Sequence, residues 1–239
     1  MNRPLRPVLV LIGASALACS SVKSDDVLTD AMWADLWVTS SAVGEGSTAS
    51  AILRVGGADS NTFVNLEGGD FLEVSDAVGT YEMSEVALGD LYSYTAALDA
   101  EVEGDEFHFA LVRDVDDGAP DSSGSMPAPF ELTAPLDNPE WHPAVEPITV
   151  TWDSAGTNDA IQLSVVSDCA LTYIVDVSGD PGTYTIESGA VTVTAEAGTE
   201  CSSYVQVQRR RAGDLDPGYG EGGTIYGIQE RRADVRLIP

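Results

Sequence analysis

The chain has 239 residues, of which 44% are hydrophobic, enough to build buried cores and too many for a disordered chain. It sets 39 acidic residues against 11 basic ones, a formal net charge of −28 at pH 7. A surface of that sign repels nucleic acid and anionic membranes, so neither is expected as a partner held by charge.

The first segment is a leader over 1–18. Arg3 and Arg6 precede an apolar run from Val8 to Ala18. The run is far shorter than the ~20 apolar residues that a spanning helix needs, so it describes a secretory signal. It ends Ala16-Leu17-Ala18-Cys19-Ser20. This ending resembles the lipobox of bacterial lipoproteins, with Ala16 where that family prefers leucine. The resemblance implies cleavage after Ala18 and lipid on Cys19, which then anchors the protein in a membrane. Ser20 in place of aspartate implies the outer membrane, facing the periplasm or the cell surface. The alternative is an ordinary secretory signal, with Cys19 incidental. Residues 19–30 follow as a short polar, lipidated tether.

From residue 31 onward the pattern is that of short strands rich in Val, Thr, Ile, Tyr and Phe, cut by Gly, Asp, Asn and Ser. In a first unit, 31–135, strands are expected near 33–40, 49–56, 61–66, 70–75, 79–87, 91–101, 106–113 and 129–133. Phe107, Phe109 and Leu111 alternate with Glu106, His108 and Ala110, the period of a half-buried strand. Only Leu28, Met32 and Leu36, four apart, hint at a helical turn. A proline-rich connector over 136–146 follows, where proline density excludes a central strand. A second unit, 147–239, has strands expected near 147–153, 160–166, 171–177, 182–187, 190–195, 202–211 and 223–237. Ile148-Thr149-Val150-Thr151-Trp152 looks like the early strand of a fibronectin-type sandwich, with Trp152 as a core plug. The fold class expected is therefore all-β, with two immunoglobulin- or fibronectin-like β-sandwiches in tandem; closed barrels are the alternative.

With Cys19 taken by the anchor, Cys169 and Cys201 remain as an even pair. In an oxidising compartment they are expected to form a disulfide. Neither has a second cysteine or a histidine nearby, so a metal site is disfavoured.

Signatures of catalysis are missing. His108 and His142 have no histidine partner, and there is no His-Glu-x-x-His or Gly-x-Ser-x-Gly motif. No catalytic residue and no cofactor is assigned. The one metal candidate is the turn carrying Asp114, Asp116, Asp117 and Asp121, whose carboxylates suit calcium but whose spacing departs from the twelve-residue calcium loop.

Two of the 11 bases, Arg3 and Arg6, belong to the leader, leaving nine. Six of those nine are Arg209, Arg210, Arg211, Arg231, Arg232 and Arg236. A hairpin of the last two strands would gather them on one ribbon. One role is a docking site for an anionic group. The other, favoured by stoichiometry, is pairing of Arg209, Arg211, Arg231 and Arg236 with carboxylates of the same chain. Between these strands lies a glycine-rich loop in which Tyr219 can stack on a sugar or protein face. The arginine run, this loop and the Gly227-Ile228-Gln229-Glu230-Arg231-Arg232 ending are similar to those of uncharacterised two-part, all-β bacterial lipoproteins. That resemblance carries no assigned activity. The function expected is a non-catalytic, envelope-tethered lipoprotein with a binding or structural role, its partner an envelope polysaccharide or another envelope protein. The alternatives are a carbohydrate-binding or adhesion module and, last, a hydrolase with a carboxylate site.

Overall fold

The computed structural model describes residues 19–153, 156–196, 199 and 201–239. Among these residues there are nineteen strands and two 3₁₀ turns, at Ser24–Asp26 and Thr29–Ala31, and no α-helix. Among the described residues, no helix is long and apolar enough to cross a membrane. In chain order the strands are β1 (Ser20–Lys23), β2 (Met32–Ser40), β3 (Ser47–Val55), β4 (Thr62–Asn65), β5 (Phe71–Ser75), β6 (Thr80–Glu82), β7 (Ser84–Leu88), β8 (Leu91–Leu98), β9 (Glu106–Val112) and β10 (Ala119–Ser125). They continue with β11 (Leu132–Ala134), β12 (Glu140–Trp141), β13 (Ile148–Trp152), β14 (Ala160–Ser167), β15 (Tyr173–Val177), β16 (Thr183–Ile186), β17 (Ser203–Ala212), β18 (Gly222–Asp234) and β19 (Arg236–Leu237).

One large sheet runs the length of the molecule in the order β1-β4-β3-β2-β18-β17-β14-β15, with β8 and β7 branching from β3. Smaller sheets cover one of its faces, β10-β9-β5-β6 over the first half and β11-β13-β16 over the second. Each half is thus a sandwich with its own apolar core. The first core holds Met32, Leu36, Leu53, Leu72, Phe107, Phe109 and Met126. The second holds Phe130, Trp141, Val150, Trp152, Leu163, Val205 and Leu237. Strand parity explains the division of labour. On β2, Met32, Ala34, Leu36 and Val38 point inward, while Trp33, Asp35, Trp37 and Thr39 point outward.

The all-β tandem sandwich agrees with the sequence pattern, but its two halves share strands. β18 pairs in parallel with β2 through Gly222–Gln229 and antiparallel with β17 through Tyr226–Asp234. This ribbon stitches the halves into one continuous sheet. Its residues serve both cores, Ile225 the first and Val235, just beyond β18, the second.

Several expected elements are corrected. The segment after Cys19 is not a free tether. β1 adds to β4 in parallel register, Ser20 opposite Thr62 through Lys23 opposite Asn65. The buried Arg113 then ties the next residues down. Its guanidinium donates to the carbonyls of Ser24 and Val27 and to Thr29 Oγ1, and pairs with Asp70 at 2.9 Å. The proline-rich connector is no bare linker either, because Trp141 on β12 is buried in the second core beside β19. The expected strand over 79–87 breaks at Met83, whose N–H bonds Leu72 O, so that β6 and β7 join different sheets. Residues 190–195 make only an isolated bridge, Val193 with Ala170. β10 lies outside the expected strands, because Ala-Pro-Asp-Ser-Ser-Gly-Ser has no alternating apolar residues to announce it.

Candidate binding face

The arginine ribbon divides by parity. Arg209, Arg211 and Arg231 point inward, where β17 and β18 cross the waist between the two cores. Arg210 and Arg232 point outward. Arg209 is fully buried, and its Nη2 lies 2.8 Å from Asp180 Oδ2. Nη1 donates to the carbonyls of Ala128 and Pro129 and Nη2 also to that of Asp153, while the buried Nε–H has no partner among the described residues; the guanidinium stacks on Phe130. Arg231 stacks on the same ring, donates to Ser40 O and lies 3.9 Å from Glu131. Burial pulls the Arg231 guanidinium below the usual arginine value, and Glu131 partly offsets this. Arg211 chelates Asp159 and donates to Met126 O; the Asp159 hydrogen bond raises its pKa. Arg236 pairs with Glu140 at 2.8 Å on the surface. All four therefore meet acids of their own chain. For Arg209, Arg211 and Arg231 the waist placement replaces the anion-docking role, because their guanidinium groups are spent on internal carbonyls and carboxylates.

Tyr219 also differs from expectation. It is only 3% exposed and packs in the first core. The loop 213–221 folds back on the sandwich, held by the Ser123–Asp214 backbone pair and by Asp216, which accepts from the N–H groups of Asp121 and Gly218. Its ring is unavailable for stacking on a ligand.

What the sequence reading missed is the uncovered face of the long sheet. Register places Trp37 beside Tyr226 and Ser50, and Trp33 beside Gly222 and Arg54. Further along, Ile228 neighbours Arg210, Glu230 neighbours Gln208 and then Gln162, and Arg232 neighbours Gln206 and then Ser164. Tyr204 closes the row. All these side chains share the outward parity and neither small sheet covers them, though their neighbours on the face leave Ile228 and Glu230 only 7% exposed. The face is orderly. Arg210 lies over Tyr226 at 4.4 Å and Arg232 over Tyr204 at 4.8 Å. Gln206 and Gln208 both donate to Glu230 Oε2 at 2.8 Å. Trp33 Nε1–H and Thr224 O–H both donate to Asp35 Oδ1, and Asp35 also pairs with Arg54. From Gly222 to Asp234 the face is about 40 Å long, at ~3.4 Å per residue. It is aromatic and rich in amides, with guanidinium groups held in place. The available signal was aromatic residues on the outward parity: Trp33 and Trp37 flank the buried Ala34 and Leu36.

The other candidates do not form sites. Of the acidic turn, Asp116 accepts the Thr29 N–H at 2.7 Å, which is the main cause of its lowered pKa, and Asp117 O accepts the Thr29 hydroxyl. The Asp121 N–H bonds Asp216. These groups dock the N-terminal segment and the 213–221 loop, and among the described residues Asp114, Asp116, Asp117 and Asp121 do not converge on one point. The cluster that does converge is Asp168, Cys169 and Cys201. Both its sulfurs are spent in the Cys169–Cys201 disulfide, which closes a separation of 32 residues with Cα atoms 5.7 Å apart. An open hollow of about 520 Å³ is lined by Asp76, Asp99, Asp105, Glu106 and His108. Two of its carboxylates, those of Asp76 and Asp105, are turn caps. Asp76 accepts from the N–H groups of Val78, Gly79 and Asp99, and Asp105 from those of Glu101 and Val102.

No family model and no curated relative matches the chain. Among solved structures it is similar to the Yersinia pseudotuberculosis adhesin InvE (14% identity, 83% of this chain and 58% of that chain, TM-score 0.22). It is similar to a three-domain immunoglobulin fragment of titin, I67–I69 (8% identity, 86% and 66%, TM-score 0.24). A two-domain fibronectin type III segment from chicken tenascin also matches (18% identity, 81% and 96%, TM-score 0.21). The chain spans less than two thirds of the first two.

Proposed function

We propose that this protein is a non-catalytic, lipid-anchored binding protein of the bacterial cell envelope, and that the uncovered face of its long sheet takes an extended polysaccharide. Cys19 carries the lipid and the outer membrane holds it, as the lipobox-like ending implies. The observation that supports binding is the row Trp33, Trp37, Tyr226 and Tyr204, interleaved with Gln206, Gln208, Arg210 and Arg232, on one face of the sheet. Aromatic side chains offer large rigid area with little entropy to lose, and fixed amides and guanidinium groups supply directed donors. A groove would suit a chain end or a compact ligand; a continuous strip about 40 Å long suits an extended one. Two of the acids lining the hollow, Asp76 and Asp105, are engaged as turn caps, which argues against a carboxylate hydrolase.

The test is a polysaccharide array probed with residues 20–239 of the parent and of Trp37→Ala and Tyr226→Ala. The expected result is retention of the parent on one class of envelope glycan, weakened at least tenfold in each variant and unchanged in Arg236→Ala, whose side chain lies off the face. Retention by none of the glycans, or equal retention of all four proteins, overturns the proposal.

A further inference from the structure

The segment that follows Cys19 is part of the sheet from its first residue. Ser20 N–H bonds Asn61 O, its hydroxyl meets Thr62 Oγ1, and β1 pairs with β4 through Lys23. Arg113, Asp116 and Asp117 then fix residues 24–29. Any group attached at Cys19 therefore has no leash. One residue pair along, Ser21 donates to Asp90 Oδ1 at 3.2 Å, in the turn between β7 and β8. The chain covers at most about 7 Å between Cys19 and Ser21, so the sulfur lies beside that hairpin tip. The hairpin itself is unusual for an acidic protein. Every residue of β7 is exposed, Leu88 at its tip is 80% exposed, and Val86 on the same parity is 51% exposed. Glu85 and Asp90 flank them. β2 and β18 run parallel and away from this end, so that the second sandwich lies at the far end of the continuous sheet.

We propose that, resting on the lipoprotein reading above, the first sandwich seats directly on the bilayer, with Leu88 and Val86 dipped into the boundary between headgroups and acyl chains. The lipid on Cys19 supplies the local concentration that a hairpin of two apolar side chains lacks alone. Two contacts at one end fix the orientation. The long sheet then stands away from the membrane and presents its aromatic face sideways and the second sandwich outward. Glu85 and Asp90 sit at headgroup level, which suits a zwitterionic surface and opposes an anionic one.

The full chain, expressed with its leader and purified from membranes, is reconstituted into phosphatidylethanolamine–phosphatidylcholine vesicles carrying a nitroxide lipid. The variants Leu88→Cys and Val145→Cys are labelled with a thiol-reactive fluorophore; Val145 is an exposed residue of the connector beside the second core. The expected result is quenching at position 88 at least threefold stronger than at position 145. A six-residue Gly/Ser insertion between Cys19 and Ser20 is expected to reduce the quenching at 88 at least twofold. Equal quenching at the two positions, or none at 88, in protein whose N-terminal peptide carries diacylglycerol overturns the seating and leaves the anchor standing. If the unsubstituted protein takes up one thiol label per chain, Cys19 is free, and the anchor and the seating fall together.

Discussion

Replacing Arg209 by methionine tests the waist between the two cores. The side chain is fully buried, and three things are lost at once. Asp180, itself buried, loses its charge partner at 2.8 Å. The carbonyls of Ala128, Pro129 and Asp153 lose a donor. The stack on Phe130 at 4.9 Å is replaced by a thioether. Breaking a buried ion pair from one side costs about 3–5 kcal/mol, because the remaining charge stays desolvated. Asp180 keeps the Trp152 indole N–H at 2.8 Å and the Thr157 hydroxyl at 3.1 Å, which places the loss near the lower end, about 3 kcal/mol. For a chain of this size that is a fall in Tm of roughly 6–12 °C. Denaturant unfolding followed by tryptophan fluorescence reads it, since Trp152 lies beside the pair. Asp180→Asn leaves the opposite charge unpaired, so the double variant should cost at least about 1 kcal/mol less than the two single losses together. A loss below about 1 kcal/mol in Arg209→Met, or strict additivity, would refute the view that this pair locks the waist.

Tyr219→Phe should be neutral or stabilising by about 0.5–1 kcal/mol, because the buried hydroxyl has no hydrogen-bond partner; clear destabilisation in urea would show that it does. Burial pushes the Asp76 carboxyl up, but the N–H groups of Asp99, Val78, Gly79 and Ala100 together hold it below its ordinary 3.8. A depressed folded-state pKa contributes stability that is present above the ordinary value and lost as pH falls through the folded one. Asp76→Asn should therefore be less stable than the parent at pH 7, with the difference shrinking below pH 3.8; a difference that grows on acidification contradicts this. Arg113→Gln should free residues 20–29 from the fold, so that limited proteolysis cuts there at least tenfold faster than in the parent. Unchanged cleavage would show that β1 is held without the clamp.

Strand type and most strand positions were legible because alternation survives in a half-buried strand. Phe107, Phe109 and Leu111 on β9 and Val205 and Val207 on β17 announce their faces. The disulfide followed from arithmetic once Cys19 was set aside. What failed were segments whose place is decided by partners remote in sequence. The residues after Cys19 look like a polar tether because what holds them is Arg113 and a parallel strand some 40 residues on. The sharing of β18 between β2 and β17 could not be seen either, since parallel pairing of residues about 190 apart leaves no local pattern. The arginines were identified as a group, but parity within the hairpin decides their fate, burying Arg209 and Arg231 and turning Arg210 and Arg232 outward. Tyr219 was misplaced because a glycine-rich loop carries no sign of whether it docks. The aromatic face is within reach of parity alone, since Trp33 and Trp37 alternate with the buried Ala34 and Leu36, but strand propensity by itself does not say which side they face.

The most direct measurement of the binding face uses the protein's own tryptophans. Trp33 and Trp37 are half-buried on that face, whereas Trp141 and Trp152 are 2% and 3% exposed inside the second core. Acrylamide quenching is therefore dominated by the first pair. On titration with the polysaccharide that the array retains, quenching of the parent should fall saturably, and Trp33→Phe/Trp37→Phe should show no ligand-dependent change. Saturable binding that leaves the quenching of Trp33 and Trp37 untouched would place the ligand elsewhere and contradict the account.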